Sequence, residues 1–421
     1  MTDQETAPAH EGEGRRISTR EAAELLGVKP ETVYAYVSRG RLGSRSNPGG
    51  RGSTFDPTEV EALARRNRRE PALSAPTAGA LSVRTRITLI EKDRYYFRGV
   101  DATELAARHS YEEVAEWLWT GVLRPGATFT APEASVAVAR HAVDSLPEHT
   151  GPTDRLRVAA IAAAAADPLR FDLSEQSVLG TARTLIPTLV AALPPKRHDQ
   201  PADGPLAHRL WVRLSGRDAS EAFLRALDTA LALLVDHDLA ASTLAVRVAA
   251  SARAHPYAAV SAGLGVLEGP LHGAASGLAH RMLLDVLDHG TAAPVIADEL
   301  RAGRRVPGLG HRLYPGEDPR ARALFALLED IPDAAPALAA AHDVVATTAR
   351  HVPLHANVDL ALAVLTASSG MSSSAGETIF AVARTAGWIA HTLEEYGEAP
   401  LRMRPSGHYV GERPPQPLPE Q

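Results

Sequence analysis

From about residue 98 nearly to the C-terminus, apolar positions recur at spacings of three and four and are cut at short intervals by Ser, Asp, Gly and Pro. This pattern predicts a chain that is almost entirely helical. Leu105, Val114, Leu118, Val122 and Leu123 mark two short helices broken at Ser110 and Gly121. Alternation with period two occurs only across 83–97, from Val83 to Leu89 and then at Tyr95, Tyr96 and Phe97, and it predicts strand. The segment Thr378 to Leu393 is apolar almost all round, as a buried helix would be. Val158 to Ala166 is the longest apolar run, well below the ~18 residues of a membrane span. No repeat of 20–50 residues is evident, which weighs against a solenoid.

The N-terminal region is punctuated differently. Ser18-Thr19-Arg20-Glu21 reads as a capping box opening a helix that ends at Gly27. Pro30 suits the start of a second helix through Val37, with Gly40 able to close it. A turn-rich loop from Gly43 to Gly52 leads to Thr54-Phe55, and Asp56-Pro57-Thr58-Glu59 caps a third helix to about Arg66. Helix, tight turn, helix, glycine-rich wing, helix: this order resembles the winged helix-turn-helix of the MerR and excisionase type. The resemblance implies that the second helix enters the major groove while the wing meets phosphates, through Lys29, Tyr34, Tyr36, Arg39, Arg45 and Arg51. A basic helical module used for protein contacts is the alternative. Residues 70–82, rich in Pro, Ala and Ser, predict a linker.

Charge sharpens this division. Residues 15–70 hold twelve basic and seven acidic side chains, a balance of +5, so the rest of a chain of net charge −6 carries −11. One end suits a polyanion and the remainder does not. A length of 421 residues allows two or three domains, and 45% hydrophobic with 22% charged residues is a globular mixture. The absence of cysteine excludes disulfides, thiol catalysis and thiolate metal ligation. The 17 histidines show no HExxH spacing, so no metal is expected. Residues 1–14 are polar and acidic without an apolar h-region, and the expected compartment is the cytoplasm.

Candidate chemistry lies in three separated segments. In Gly269-Pro270-Leu271-His272-Gly273, turn residues flank a histidine and allow close backbone approach. In the stretch from Gly308-Leu309-Gly310-His311-Arg312 to Asp318-Pro319-Arg320, two glycines precede a histidine. Arg304, Arg305 and Arg312 supply charge nearby, suited to the phosphates of a bulky ligand packing beside Gly308 and Gly310. Asn357-Val358-Asp359 opens an apolar helix, where a carboxylate can serve the helix dipole or, beside so much apolar surface, have the raised pKa of a general base. Arg384 sits in the helix read as buried, and a buried guanidinium requires either an internal carboxylate or a carboxylate ligand. His237 lies between Asp236 and Asp238, and Arg404 follows Arg384 by twenty residues.

Together these segments resemble the active-site signatures of the citrate synthase family, from about Arg98 to Gly411. Departures are local: Ala274-Ala275-Ser276 replaces the usual Gly-Ala-Asn, Asp238 replaces Glu, and Pro315-Gly316 stands where a basic residue is frequent. The resemblance implies an all-α fold in which a large domain, 83–272 and 363–421, carries an inserted small domain, 273–362. It implies an acyltransferase of the tricarboxylic acid cycle that condenses acetyl-CoA, a co-substrate, with oxaloacetate, without metal or bound cofactor. Asp359 would remove a methyl proton, His272 would support the thioester oxygen, and His311 would protonate the oxaloacetate carbonyl. His237, Arg320, Arg384 and Arg404 would bind the dicarboxylate, with Ser242 supporting the active-site loop. Arg404 would act across a homodimer interface. Two alternatives stay open: 2-methylcitrate synthesis from propionyl-CoA, and a DNA-binding regulator whose helical body senses an acyl-CoA or a carboxylate.

Overall fold

Ser18 sits at φ −75°, ψ 165°, and its hydroxyl accepts the Glu21 N–H while the Glu21 carboxylate accepts the Ser18 N–H at 2.8 Å. The capping box is therefore complete, and Thr19–Leu26 ends at Gly27 in the left-handed region, φ 66°. Helices Pro30–Ser38 and Pro57–Arg68 follow. Ser53–Phe55 pairs antiparallel with both Ile17–Ser18 and Arg45–Ser46, giving a three-stranded sheet. Ala22, Ala23, Val33, Leu42, Phe55, Val60 and Leu63 form a small core of their own.

The structure is a computed structural model. It describes residues 16–38, 42–46, 53–68, 83–197, 203–269, 272–413, 415–416 and 418. Gly40, the loop 47–52, the linker 70–82, Pro270 and Leu271 lie outside the described residues, as do Arg39 and Arg51. Contacts divide the chain into two units, Met1–Arg84 and Thr85–Gln421.

In the second unit, pairing starts later than the alternation predicts. Thr88–Glu91 and Arg94–Phe97 form an antiparallel hairpin, extended by Val100–Asp101, whereas Val83 to Ile87 is not strand. The reason is tertiary. Thr85 Oγ1 and the Arg86 N–H donate to the Glu394 carboxylate at 2.9 Å and 2.7 Å, so these two residues are held by a distant helix, while the Ile87 carbonyl still accepts the Arg98 N–H at 2.8 Å.

Beyond Asp101 the regular elements among the described residues are helices joined by irregular segments, with caps where the sequence places them: Ser110 opens Tyr111–Thr120 with a second capping box, and Gly121 closes it at φ 72°. Ala375–Tyr396 is buried on nearly all sides, as its composition requires. It packs against Tyr111–Thr120, Glu175–Ala192, Glu221–Leu234, Ala241–Ser251 and Pro256–Leu267. Close approach is secured by Gly263, where a Cβ would lie 2.8 Å from the Trp388 ring. Ala275–His289, Ala292–Arg301, Pro319–Glu329, Ala335–Ala349 and Val358–Ser368 pack on one another, and several of them meet Glu221–Leu234 and Ala375–Tyr396. Among the described residues no helix is long and apolar enough to cross a membrane.

Candidate active site

Two of the segments singled out in the sequence fold as a clasp. The Gly310 N–H donates to the His355 carbonyl at 2.8 Å, the Asn357 N–H to the Gly308 carbonyl at 2.9 Å, and Asn357 Nδ2 to the Gly310 carbonyl at 2.9 Å. Asn357 Oδ1 then accepts the Asp359 N–H at 3.0 Å, capping Val358–Ser368. Gly308 adopts φ 77°, and a Cβ there would come within 2.8 Å of Leu360 Cβ. This packing by itself requires glycine at 308.

The clasp brings His311 onto a second cluster. His311 and His237 meet edge to face with centroids 5.2 Å apart, and Tyr314 lies against both rings at 4.9 Å and 5.5 Å. His237 Nε2 and the Tyr314 hydroxyl are hydrogen bonded at 2.7 Å. Burial, then the charges of Arg320, Arg384 and His311, hold His237 well below the usual histidine pKa. Burial and the Arg320 charge push His311 down to about 4. Both rings are therefore neutral at physiological pH. The Leu313 N–H donates to His311 Nδ1 at 3.1 Å, so neutral His311 carries its proton on Nε2 and can donate from it.

Arg320 is the hub. It is 2% exposed, its guanidinium forms a two-point pair with Asp318, and its charge acts on His237, His311, Asp359 and Arg384. Arg384, 1% exposed, donates from Nε to the Leu234 carbonyl at 3.0 Å. One of its terminal nitrogens is buried without an acceptor. Burial pulls its pKa down to about 10, opposed by the charge of Asp236, so it remains a cation. A buried cation with an unused donor is suited to a carboxylate ligand.

His272 shares Phe380 with Arg384, the phenyl ring lying 6.1 Å from the histidine ring and 4.4 Å from the guanidinium carbon. Its Nε2 is 2.8 Å from Ser242 Oγ. Burial, then the Arg384 charge, lowers its pKa. The Ser242 hydroxyl can donate to Nε2, and the neutral ring then keeps its proton on Nδ1. Burial pushes Asp359 up to about 6, Arg320 pulling it down and Asp318 pushing it up. That is the range of a carboxylate poised to take a proton.

Among the described residues of the second unit, Arg304, Arg305, Arg312 and Arg404 make none of the hydrogen bonds or ring contacts of this cluster. Arg404 is exposed, and its side chain has no ion pair among the described residues. Arg304 is engaged by Glu299 at 2.7 Å and 3.0 Å, while Arg305 and Arg312 are exposed without an ion pair among the described residues. In the first unit Lys29, Tyr34 and Arg45 are exposed, and Tyr36 packs partly against the core. No group of three or more metal-ligating side chains occurs among the described residues. Tyr314 and Asp318 were not marked individually, although both lie in the segment that follows His311. An Asp before Pro at a helix start is a local signal for Asp318, which accepts the Arg320 N–H at 3.0 Å, but its pairing with the Arg320 side chain is visible only in three dimensions.

The family model for the citrate synthase C-terminal domain matches residues 77–406, and that for a helix-turn-helix domain matches residues 17–68. A citrate synthase of Haloferax volcanii is 32% identical over 361 residues, covering 80% of this chain and 95% of that protein. A 2-methylcitrate synthase of Mycobacterium tuberculosis is 27% identical over 359 residues, covering 81% and 91%. Among solved structures, the ternary complex of carboxymethyl coenzyme A and oxaloacetate with citrate synthase from Thermoplasma acidophilum matches with a TM-score of 0.67 over 81% of this chain and 97% of that one. At 24% identity this last likeness concerns the fold.

Proposed function

This chain belongs to the citrate synthase family, and we propose that it condenses acetyl-CoA with oxaloacetate and hydrolyses the product thioester to citrate and free coenzyme A. The carboxylate of Asp359 takes a methyl proton from acetyl-CoA while His272 donates from Nδ1 to the thioester oxygen, stabilising the enol. The enol carbon attacks the ketone carbon of oxaloacetate, and His311 gives its Nε2 proton to the ketone oxygen as it becomes the hydroxyl. Water then adds to the citryl thioester, and coenzyme A leaves as the thiol. Arg320 and Arg384 hold the dicarboxylate, His237 adds a hydrogen bond, and Arg404 reaches the site of a second subunit. Arg305 and Arg312 supply charge for the phosphates of coenzyme A beside Gly308 and Gly310, and Arg304 joins them if it leaves Glu299. Residues 273–362 form the smaller lobe and the flanking segments the larger.

The observation that carries this reading is the buried Arg384 nitrogen without a protein acceptor, set in a cluster whose carboxylate has its pKa raised to about 6. The N-terminal unit supports a second activity, DNA binding, on the match to a helix-turn-helix domain and the exposure of Lys29, Tyr34 and Arg45. The test is thiol release by the purified chain with acetyl-CoA alone, oxaloacetate alone, and both. Release requiring both, with citrate as product, supports the reading; release from acetyl-CoA alone indicates a thioesterase, and no release contradicts it. Propionyl-CoA belongs in the same assay, because one methylene is worth only about 1–3 kcal/mol of discrimination.

A further inference from the structure

Asp236, immediately before His237, is fully buried and tied on two sides. Thr88 Oγ1 donates to its Oδ2 at 2.5 Å, and His391 Nε2 faces its Oδ1 at 3.2 Å. The histidine has a defined tautomer, because Arg247 Nε donates to His391 Nδ1 at 3.0 Å and leaves the ring proton on Nε2 for Asp236. Arg247 is itself fixed by Glu395 at 3.1 Å and by Glu394. Arg384, Gly387, His391 and Glu395 recur at helical spacing, so they share one face of Ala375–Tyr396. The helix backbone closes over the acid at Gly387, where a Cβ would lie 2.2 Å from the Val235 carbonyl and 2.9 Å from Asp236 Oδ1.

This arrangement poses a question about charge. Asp236 is the principal attractive charge acting on Arg384, yet the two make no ion pair. A carboxylate whose charge acts on a buried guanidinium gains by pairing with it, since a charged hydrogen bond is stronger than a neutral one. Both of its oxygens are instead occupied by Thr88 and His391, and Arg384 keeps a nitrogen unused. We propose that Asp236 is a positioning residue, held back by Thr88 and His391 so that it supports the charge of Arg384 without covering the edge that receives a substrate carboxylate. The proposal rests on the reading of Arg384 as a dicarboxylate ligand. Removing a restraint frees an internal carboxylate to compete with the ligand, an effect that removing its charge should reverse.

The experiment measures oxaloacetate binding to the full chain by calorimetry, without acyl-CoA, together with KM for acetyl-CoA. Thr88→Val, nearly equal in volume, removes one restraint; Thr88→Ser keeps the hydroxyl. Expected are a weakening of oxaloacetate binding of about tenfold in Thr88→Val, wild-type affinity in Thr88→Ser, and KM for acetyl-CoA within about twofold of wild type in both. The double variant Thr88→Val/Asp236→Asn should recover most of the loss. Should that double variant not fold, His391→Phe, which removes the other donor, should show the same selective loss. Wild-type affinity in Thr88→Val, or equal weakening toward both substrates, overturns the proposal while the site reading stands. Failure of the wild type to bind oxaloacetate overturns the site reading and the proposal with it.

Discussion

The Arg320 guanidinium and the Asp318 carboxylate meet at two points, 3.0 Å and 2.7 Å, and the same Asp318 Oδ2 accepts the Val358 N–H at 3.1 Å. One acid therefore neutralises the central arginine of the cluster and fixes the start of the helix that carries Asp359. Burial alone would raise the Asp318 pKa, but the charge and hydrogen bonds of Arg320 hold it below the usual range. Asp318→Ala leaves a buried cation unpaired, and about 3–5 kcal/mol of stability should be lost. Denaturant unfolding measures this, and a loss below about 1 kcal/mol would contradict the pairing.

The acid limb of the pH profile should belong to Asp359. A base must be ionised, and this carboxyl is raised to about 6, so activity is full above that pH and falls as pH drops through it. His311, down at about 4, stays neutral across the same window and adds no limb there. The profile of kcat/KM for acetyl-CoA should fall about tenfold per unit below pH ~6. A single break near the ordinary carboxylate value would show that burial does not tune this group.

Two glycines with similar backbone separate conformation from crowding. Gly303 at φ 68° has open space around a would-be Cβ, whereas Gly308 at φ 77° would place it against Leu360. Gly303→Ala should cost about 1–2 kcal/mol from the left-handed backbone. Gly308→Ala should cost at least about 1 kcal/mol more, because the Leu360 backbone cannot move freely. Equal thermal shifts for the two variants would refute the crowding argument.

What the sequence revealed follows the range of each interaction. The capping boxes at Ser18 and Ser110 and the closures at Gly27 and Gly121 involve neighbours, and they were legible. The late start of the strand was not, because the group that captures Arg86 lies 308 residues away. Arg384 could be read as buried from its all-apolar helix, and it is. The restraint of Asp236 could not, since Thr88, His391 and Arg247 come from three distant parts of the chain. His272, His311 and Asp359 stood out through motif resemblance, while Tyr314, which touches both His237 and His311, carried no spacing signal of its own.

DNA binding by the N-terminal unit should depend steeply on salt, because each phosphate contact releases counterions. Lys29 and Arg45 are exposed, and Arg45→Ala should weaken binding to all sequences alike, whereas Tyr34→Ala should also change preference. Tyr36 packs on the core, so its substitution tests stability as well. Isotherms of the full chain on DNA from its own locus at two salt concentrations check this, and salt-insensitive or undetectable binding would leave the unit as a protein-contact module.

In the proposed mechanism Asp359 removes the proton that makes acetyl-CoA a carbon nucleophile. The most direct measurement of this role is the rate of coenzyme A release at saturating acetyl-CoA and oxaloacetate for the wild type and for Asp359→Asn, which keeps the shape and loses the base. Expected are substrate-dependent release by the wild type and a fall in kcat of at least about 10² in the variant. Turnover that survives the substitution unchanged would contradict the role.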